Sequence, residues 1–441
     1  MMRSTLLRIA ARANVAANLE AAGRQTPLGR RVLFHVICSA VLVSAISTTA
    51  QADAADRYPP PRNGCTNTAN FDAWLPVLRK DALAAGIQPQ TVSVVLDGVT
   101  PDMAILKSDR GQSFFQQTFL EFQAKLATPN RASSGAAKIR ARKPIFDAVE
   151  KEFGVPPEVI TGFWALESDF GAGMGKKSIL RALVTLAFDC RRSEMFRDQV
   201  LYAMKIIDRG DLQPDEMIGS WAGELGQTQF LPVHYYNHAI DYDKDGRRDL
   251  IRSEPDIIAS TASFIRSLDW KPGEPWLQEV RLPDSLPWDK AGLDIKQPRA
   301  EWSKLGVTYP DGRALPADAK PVSLLLPMGR LGPAFVAYAN FDVYLKWNQS
   351  LNYGITAAYL ATRIAGAPVM GRGNGQPTGL DMAGLKELQT ILSKRGYKVG
   401  EPDGKLGAGT RMASREAQKK AGLPADGYPT PELLDAVRAG R

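Results

Sequence analysis

From about Phe71 the apolar residues recur at helical spacing, first at Trp74, Leu75, Leu78 and Leu83 and then from Thr91 to Leu96. Residues 112–126, 144–153, 179–188, 194–208, 256–268 and 340–365 keep the same amphipathic period and predict further helices. Between 270 and 330 that period is lost. Prolines are frequent there and short β-type runs occur, such as Leu324-Leu325-Leu326, so the stretch predicts a small irregular or β-containing insertion. Residues 366–379, rich in Gly and Pro, predict a linker. Residues 380–441 form a compact unit whose first helix is marked by Leu385, Leu388, Gln389 and Leu392. Within it, Asp403-Gly404-Lys405-Leu406-Gly407 echoes Asp426-Gly427-Tyr428-Pro429-Thr430, each Asp-Gly being a turn signal ahead of a helix. A unit this small has a marginal core of its own and reads as an accessory binding module, not a catalytic one. The fold class is mainly α.

Length and composition add two or three ordinary globular domains: 441 residues, 44% apolar and 23% charged. The net charge of +8 is misleading. Residues 1–52 hold six arginines against one acid, Glu20, so +5 resides there and +3 remains for the rest. That is too little for a phosphate-binding surface, and no nucleic-acid partner is expected. The segment 1–52 reads as a secretory signal, with Arg30-Arg31 as its charged region, Val32 to Ser47 as its apolar run and Ala50-Gln51-Ala52 as its cleavage site. An uncleaved membrane anchor is the alternative. Export puts the chain in an oxidising, periplasmic compartment. The two mature cysteines, Cys65 and Cys190, then suggest one disulfide, the alternative being two buried thiols.

The residue with the most chemistry is Glu167. Val155-Pro156-Pro157 marks a helix start, since proline fits only the first turn. Ile160, Phe163, Trp164 and Glu167 then follow at i, i+3, i+4 and i+7, which puts one carboxyl group on an apolar stripe. Apolar neighbours resist ionisation and raise a carboxyl pKa, as a general acid near neutral pH requires. Asp169 is turned off that face, so a single carboxylate is expected rather than a pair. The bland alternative is a helix-end Glu paired with an Arg.

Three further segments carry candidate chemistry. Ser220 to Pro232 is rich in Gly and Gln, and its Gln227 and Gln229 suit sugar hydroxyls and acetamido groups, although such residues are common in loops. Asp241-Tyr242-Asp243-Lys244-Asp245-Gly246 matches the start of a calcium loop, but Arg252 stands where the usual bidentate Glu would be. Trp347, Asn348 and Tyr353 could stack on and bond to sugars, or be helix core. His234 and His238, the only mature histidines, lack the Glu and third ligand of a zinc peptidase, and no Ser-His-Asp triad can be assembled from them convincingly.

Taken together, residues 67–365 resemble the B-type membrane-bound lytic murein transglycosylases. The resemblance is carried by Gly154-Val155-Pro156-Pro157, Glu167 to Gly171, Met174-Gly175-Lys176, Arg191-Arg192, Gly223 to Pro232, the acidic loop and Trp347-Asn348-Gln349-Ser350. The last 60 or so residues resemble the peptidoglycan-binding-domain-1 module, through Leu388-Gln389, Gly396-Tyr397, Asp403-Gly404, Gly407, Thr410 and Asp426-Gly427. The resemblance implies a lysozyme-like catalytic domain and a small three-helix module. It implies non-hydrolytic cleavage of the β-1,4 bond between N-acetylmuramic acid and N-acetylglucosamine, with Glu167 as sole acid and base. Ordinary glycosidases need two carboxylates. It further implies that Ser220, Gln229, Arg191 and Arg192 hold the substrate, with Trp347, Asn348 and Tyr353 as candidate sugar contacts. Asp241, Asp243, Asp245, Asp256 and the Arg247 carbonyl would bind calcium; no organic cofactor is implied. Trp347 departs from the family's usual Tyr, Phe264 lacks a hydroxyl, Arg248 adds charge beside the metal loop, and the loop is one residue longer before Asp256. The expected protein is an exported monomer acting on peptidoglycan strands, with other cell-wall enzymes as candidate partners. A muramidase and a non-catalytic wall-binding protein are the alternative functions.

Overall fold

The computed structural model describes residues 70–111 and 117–441, so the expected signal segment and Cys65 lie outside the described residues. Most of the expected helices match closely, among them Phe71–Ala84, Lys143–Phe153, Ile179–Phe188, Ser193–Asp208 and Glu254–Ser267. The stretch 340–365 is two helices, Phe341–Trp347 and Leu351–Ile364, because Asn348 to Ser350 leave the helix and Ser350 caps the second one through Tyr353 N–H. Met103–Arg110, Pro129–Ala141 and Pro232–His238 are additional helices. Pro129–Ala141 escaped the periodicity because small residues, Ala132 and Gly135, make its buried face.

The helix Pro157–Ser168 runs through the middle of the main core, buried along nearly its whole length. It packs against Pro129–Ala141, Leu351–Ile364, Glu254–Ser267 and Lys143–Phe153. At its crossing with Leu351–Ile364, Gly162 faces Ala361, and an added Cβ would make ordinary contact at 3.5 Å from that of Ala361. That packing brings Tyr353 to the end of the central helix.

The insertion is a four-stranded antiparallel sheet in the order Leu277–Val280, Ala334–Ala337, Pro321–Leu325, Gln297–Pro298. Leu277 lies opposite Ala337 and Leu324 opposite Val336. It has a core of its own, including Trp302, Val307, Val322 and Val336. The fully buried Asn340 closes its base: the side chain accepts from Lys271 N–H at 2.7 Å and donates to the carbonyls of Lys271 and Glu274 at 2.8 Å. A buried amide with its bonds made in this way fixes one arrangement.

The C-terminal module, helices Met382–Lys394, Ala408–Lys420 and Pro431–Arg438, repeats itself in its hydrogen bonds. Buried Gln389 accepts from Gly404 N–H at 2.8 Å and donates to Asp403 and to the Lys405 carbonyl. Buried Gln418 does the same with Gly427 N–H, Asp426 and the Tyr428 carbonyl. The module sits against the insertion. Arg415 donates to Asp294 and to the Ala291 carbonyl, both at 3.0 Å; Arg411 donates to the Pro327 carbonyl at 2.8 Å; and Asp426 accepts from Arg330 N–H at 2.9 Å. The 366–379 segment, expected to be a linker, is laid along the sheet: Gly371 N–H reaches Glu279 at 2.6 Å, Asn374 reaches the Leu282 carbonyl at 3.0 Å and Gly375 N–H the Leu331 carbonyl at 3.0 Å. Glycine-rich composition here serves close packing, because Gly373 has no room for a Cβ against Gly332.

Candidate active site

Glu167 stands in the last turn of the central helix, which ends at Asp169 in a left-handed conformation (φ 52°). Its Oε1 accepts from the indole Nε1 of Trp347 at 2.8 Å and from the Tyr353 hydroxyl. The residue keeps an opening to solvent, but protein encloses most of the carboxyl group. Burial pushes its pKa up to about 7; the bond from Tyr353 opposes this, the charge of Glu224 adds to it, and the bond from Trp347 opposes it. The helix-end salt bridge considered from sequence belongs to Asp169, which pairs with Arg131 at 3.1 Å. Trp347 is positioned by stacking on Phe163, ring centres 4.1 Å apart, and by edge contacts with Phe230. One indole face is therefore taken by the core.

The Ser220–Pro232 loop is pinned to this helix. Trp164 Nε1 donates to the Gln227 side chain at 2.8 Å, Ser168 Oγ donates to the Gln227 carbonyl at 2.5 Å, and Gln227 Nε2 reaches the Ile251 carbonyl at 2.8 Å. Gln227, read as a sugar ligand, is thus a structural brace. Gly175, at φ +95°, lets the preceding turn cross the loop's start; a Cβ there would lie 2.2 Å from the Gly219 carbonyl oxygen. The Gln229 amide donates to the carbonyls of Gly226 at 2.8 Å and Met174 at 3.4 Å, from a left-handed backbone (φ 50°).

The other expected substrate residues are placed as follows. Ser220 Oγ donates to Glu224 Oε2 at 3.0 Å and accepts from the N–H groups of Ala222 and Glu224, each at 3.2 Å. Arg191 donates to the buried carboxylate of Asp109 at 2.7 Å and Arg192 pairs with the same carboxylate, so both tie the helix Met103–Arg110 to the start of Ser193–Asp208. Asn348 is exposed and accepts from Ser350 N–H at 3.0 Å, shaping the turn between Trp347 and Tyr353. His234 stacks on Phe264 with centres 4.4 Å apart; burial, then the neighbouring His238, pulls its pKa down to about 4. Cys190 is disulfide-bonded; Cys65, its expected partner, lies outside the described residues.

Sequence reasoning missed Glu224. The expectation of one carboxylate holds for the helix face, but the loop supplies a second carboxyl whose charge acts on Glu167. Burial raises the Glu224 pKa, while the Ser220 bond and the Arg192 charge oppose that. The i, i+4 spacing of Ser220 and Glu224 around a glycine was the available signal.

In the acidic loop, carboxylate oxygens of Asp241, Asp243 and Asp256 lie within 4.8 Å of one another. Asp245 is outside that group and instead accepts from Arg247 N–H at 2.9 Å. Asp256, fully buried, accepts from Tyr242 N–H at 2.7 Å and Asp249 N–H at 2.8 Å, so it ties both ends of the loop despite the extra residue. Burial is the main cause that raises its pKa, and repulsion from Asp243 adds to it. Arg248 turns to Asp211 at 3.1 Å, Arg247 to Glu216 at 2.9 Å and Arg252 to Glu216 at 2.7 Å and Asp249 at 2.6 Å, so the loop's arginines do not neutralise the cluster. Converging oxygen donors with that surplus of negative charge fit a hard divalent cation.

Residues 70–362 match the transglycosylase SLT domain family. The chain belongs to that family. Residues 381–437 of this transglycosylase also match a peptidoglycan binding domain. Over 255 residues it is 28% identical to membrane-bound lytic murein transglycosylase B of Escherichia coli (strain K12), covering 57% of this chain and 68% of the relative. SltB3 from Pseudomonas aeruginosa, in complex with NAG-anhNAM-pentapeptide, superposes with a TM-score of 0.78 at 39% identity, covering 84% of this chain and 99% of that one. The Escherichia coli lytic transglycosylase Slt35 in complex with calcium gives a TM-score of 0.57 at 25% identity, covering 66% and 92%. Family membership gives the lysozyme-like catalytic domain expected from sequence and sets aside a purely non-catalytic wall-binding protein.

Proposed function

We propose that this lytic transglycosylase cuts the β-1,4 bond between N-acetylmuramic acid and N-acetylglucosamine in peptidoglycan without consuming water, with Glu167 as its acid and then its base. The carrying observation is a carboxyl group held by two neutral donors, with a pKa near 7 and, among the described residues, no cation paired with it. Such a group still carries its proton at working pH and can give it up readily. Glu167 gives its proton to the glycosidic oxygen, the C1–O bond breaks and the N-acetylglucosamine end leaves as an alcohol. Groups of the substrate itself stabilise the positive charge at C1. The Glu167 carboxylate then takes the proton of the C6 hydroxyl, whose oxygen bonds to C1 and closes a 1,6-anhydro ring. Trp347 and Tyr353 hold the carboxylate in place between the two transfers. Arg191, Arg192, Ser220, Gln229 and Asn348 shape the cleft wall.

The complex of SltB3 with an anhydro product and the match of residues 381–437 support peptidoglycan as the substrate. Asp241, Asp243 and Asp256 would hold calcium, with Asp245 and the Arg247 carbonyl as further candidates, and the ion would brace the loop that precedes Glu254–Ser267. The membrane-bound relative supports a periplasmic location reached through the 1–52 signal; among the described residues no helix is long and apolar enough to cross a membrane. Action as a monomer, alone or beside other cell-wall enzymes, completes the reading.

A hydrolytic muramidase is the second reading, favoured by Glu224 as a second carboxylate near the first. The test is mass spectrometry of soluble products from purified peptidoglycan, wild type beside Glu167→Gln. The proposal requires muropeptides lighter by one water than hydrolytic products, and none from the variant. Reducing-end products from the wild type would make it a muramidase.

A further inference from the structure

We propose that Glu224 is a positioning residue of this reaction, a charged partner locked onto Ser220 that keeps the catalytic proton on Glu167. The inference rests on the acid–base role given to Glu167 above. Two observations of geometry and one of electrostatics support it. The loop bearing Glu224 is fastened to the catalytic helix through Gln227, so the second carboxyl has little freedom to swing away. The Ser220 hydroxyl gives its only proton to Glu224 and is filled by two backbone N–H groups on its acceptor side, leaving it a bracket for this carboxylate. Finally, the two acids are dressed differently. Glu224 faces the Ser220 donor and the charge of Arg192, whereas Glu167 has only the neutral Trp347 and Tyr353.

Two interacting carboxyl groups cannot both ionise cheaply, and the proton settles on the one with no cation to balance its charge. The Ser220 bond and the Arg192 charge therefore favour the anion at Glu224 against its burial, and leave the proton to Glu167. The other groups around the pair do not reverse this. Tyr353 and Tyr344 are held neutral by burial, and burial keeps His234 and His238 uncharged at neutral pH. Lys138 is paired with Glu254 at 3.0 Å and Asp169 with Arg131 at 3.1 Å. Arg191 and Arg192 share Asp109, and Arg192 alone is also felt by Glu224.

The experiment is the pH dependence of kcat and KM for release of anhydromuropeptides by the full chain. Wild type, Glu224→Gln, Glu224→Asp, Ser220→Ala and Glu167→Gln are compared, each with its melting curve. Removing the charge of Glu224 lowers the pKa of Glu167, so the alkaline limb of kcat in Glu224→Gln moves down by about one pH unit. Activity above that limb then falls by about tenfold, whereas KM changes little. Ser220→Ala, which makes Glu224 harder to ionise, shifts the limb in the same direction by less, and Glu224→Asp restores most of the wild-type profile. An equal loss at every pH in Glu224→Gln, or a rise in KM alone, would make Glu224 a structural brace and overturn the proposal. If Glu224→Gln does not fold, the Ser220→Ala limb decides in the same way. Residual activity in Glu167→Gln would instead overturn the acid–base reading itself, so the two failures are distinct.

Discussion

Replacing Glu167 by Gln should stabilise the protein while abolishing cleavage, and the stabilisation should depend on pH. The folded carboxyl titrates near 7 against an ordinary value of 4.5. A raised carboxyl pKa means that the folded state keeps a proton which the unfolded chain releases. This group's contribution to stability is thus fully present below about pH 4.5 and is lost as pH rises through about 7. That rise corresponds to roughly 3.4 kcal/mol if the site were fully closed. The carboxyl keeps an opening to the cleft, and solvent screening reduces the figure, so about 2 kcal/mol is expected above pH 8. The amide introduced by Glu167→Gln has no charge to desolvate, and its oxygen can still accept from Trp347 and Tyr353. Urea unfolding of both proteins from pH 4 to pH 9 measures the difference. It should start near its baseline at pH 4, grow between pH 5 and 7 and level off above. A difference that stays flat across that range would refute the claim that Glu167 is a buried acid with a raised pKa.

Tyr353→Phe removes a donor that favours the Glu167 anion, so the alkaline limb of kcat should move up, opposite to Glu224→Gln; an unchanged limb in a pH–rate profile would count against the bond. Chelation should lower the melting temperature, calcium but not magnesium should restore it, and Asp243→Asn should remove the response; calcium at a hundred times its Kd would contribute about 2.7 kcal/mol. Arg415→Ala removes the Asp294 pair and the bond to the Ala291 carbonyl at the module's seat, costing about 1–2 kcal/mol of docking, and trypsin should then cut within 366–379 faster than in the wild type. Gln389→Ala strands the Gly404 N–H and the Asp403 turn inside the module and should lower its unfolding free energy by about 2–3 kcal/mol in denaturant melts.

Helices with an apolar stripe were legible in the sequence because one face alone is buried: Lys143–Phe153 and Ser193–Asp208 lie where the period put them. Pro129–Ala141 was not, since its buried side works through absence of bulk, and small residues leave no period. Glu167 could be found because helix spacing alone fixes which residues share its face. Its two hydrogen-bond donors come from 180 and 186 residues farther on, a pairing that only tertiary structure sets. The pairing of Arg191 and Arg192 with Asp109 was not legible, because that acid lies about eighty residues upstream. Glu224 sat inside a quoted motif but was passed over, because a loop has no period to say where a side chain points. In 366–379 the composition marks a linker, and only the packing shows it held along the sheet.

That packed stretch has a consequence for how the enzyme meets its polymer. A free chain of 14 residues would let the module wander over about 20 Å, and any bond within that radius could be cut. Laid along the sheet, the segment works as a caliper. The jaw that grips and the jaw that cuts stand at one setting, so a strand gripped at one sugar offers the blade only the linkages at matching distance. The pattern of scission along a glycan then follows protein geometry rather than chance encounter.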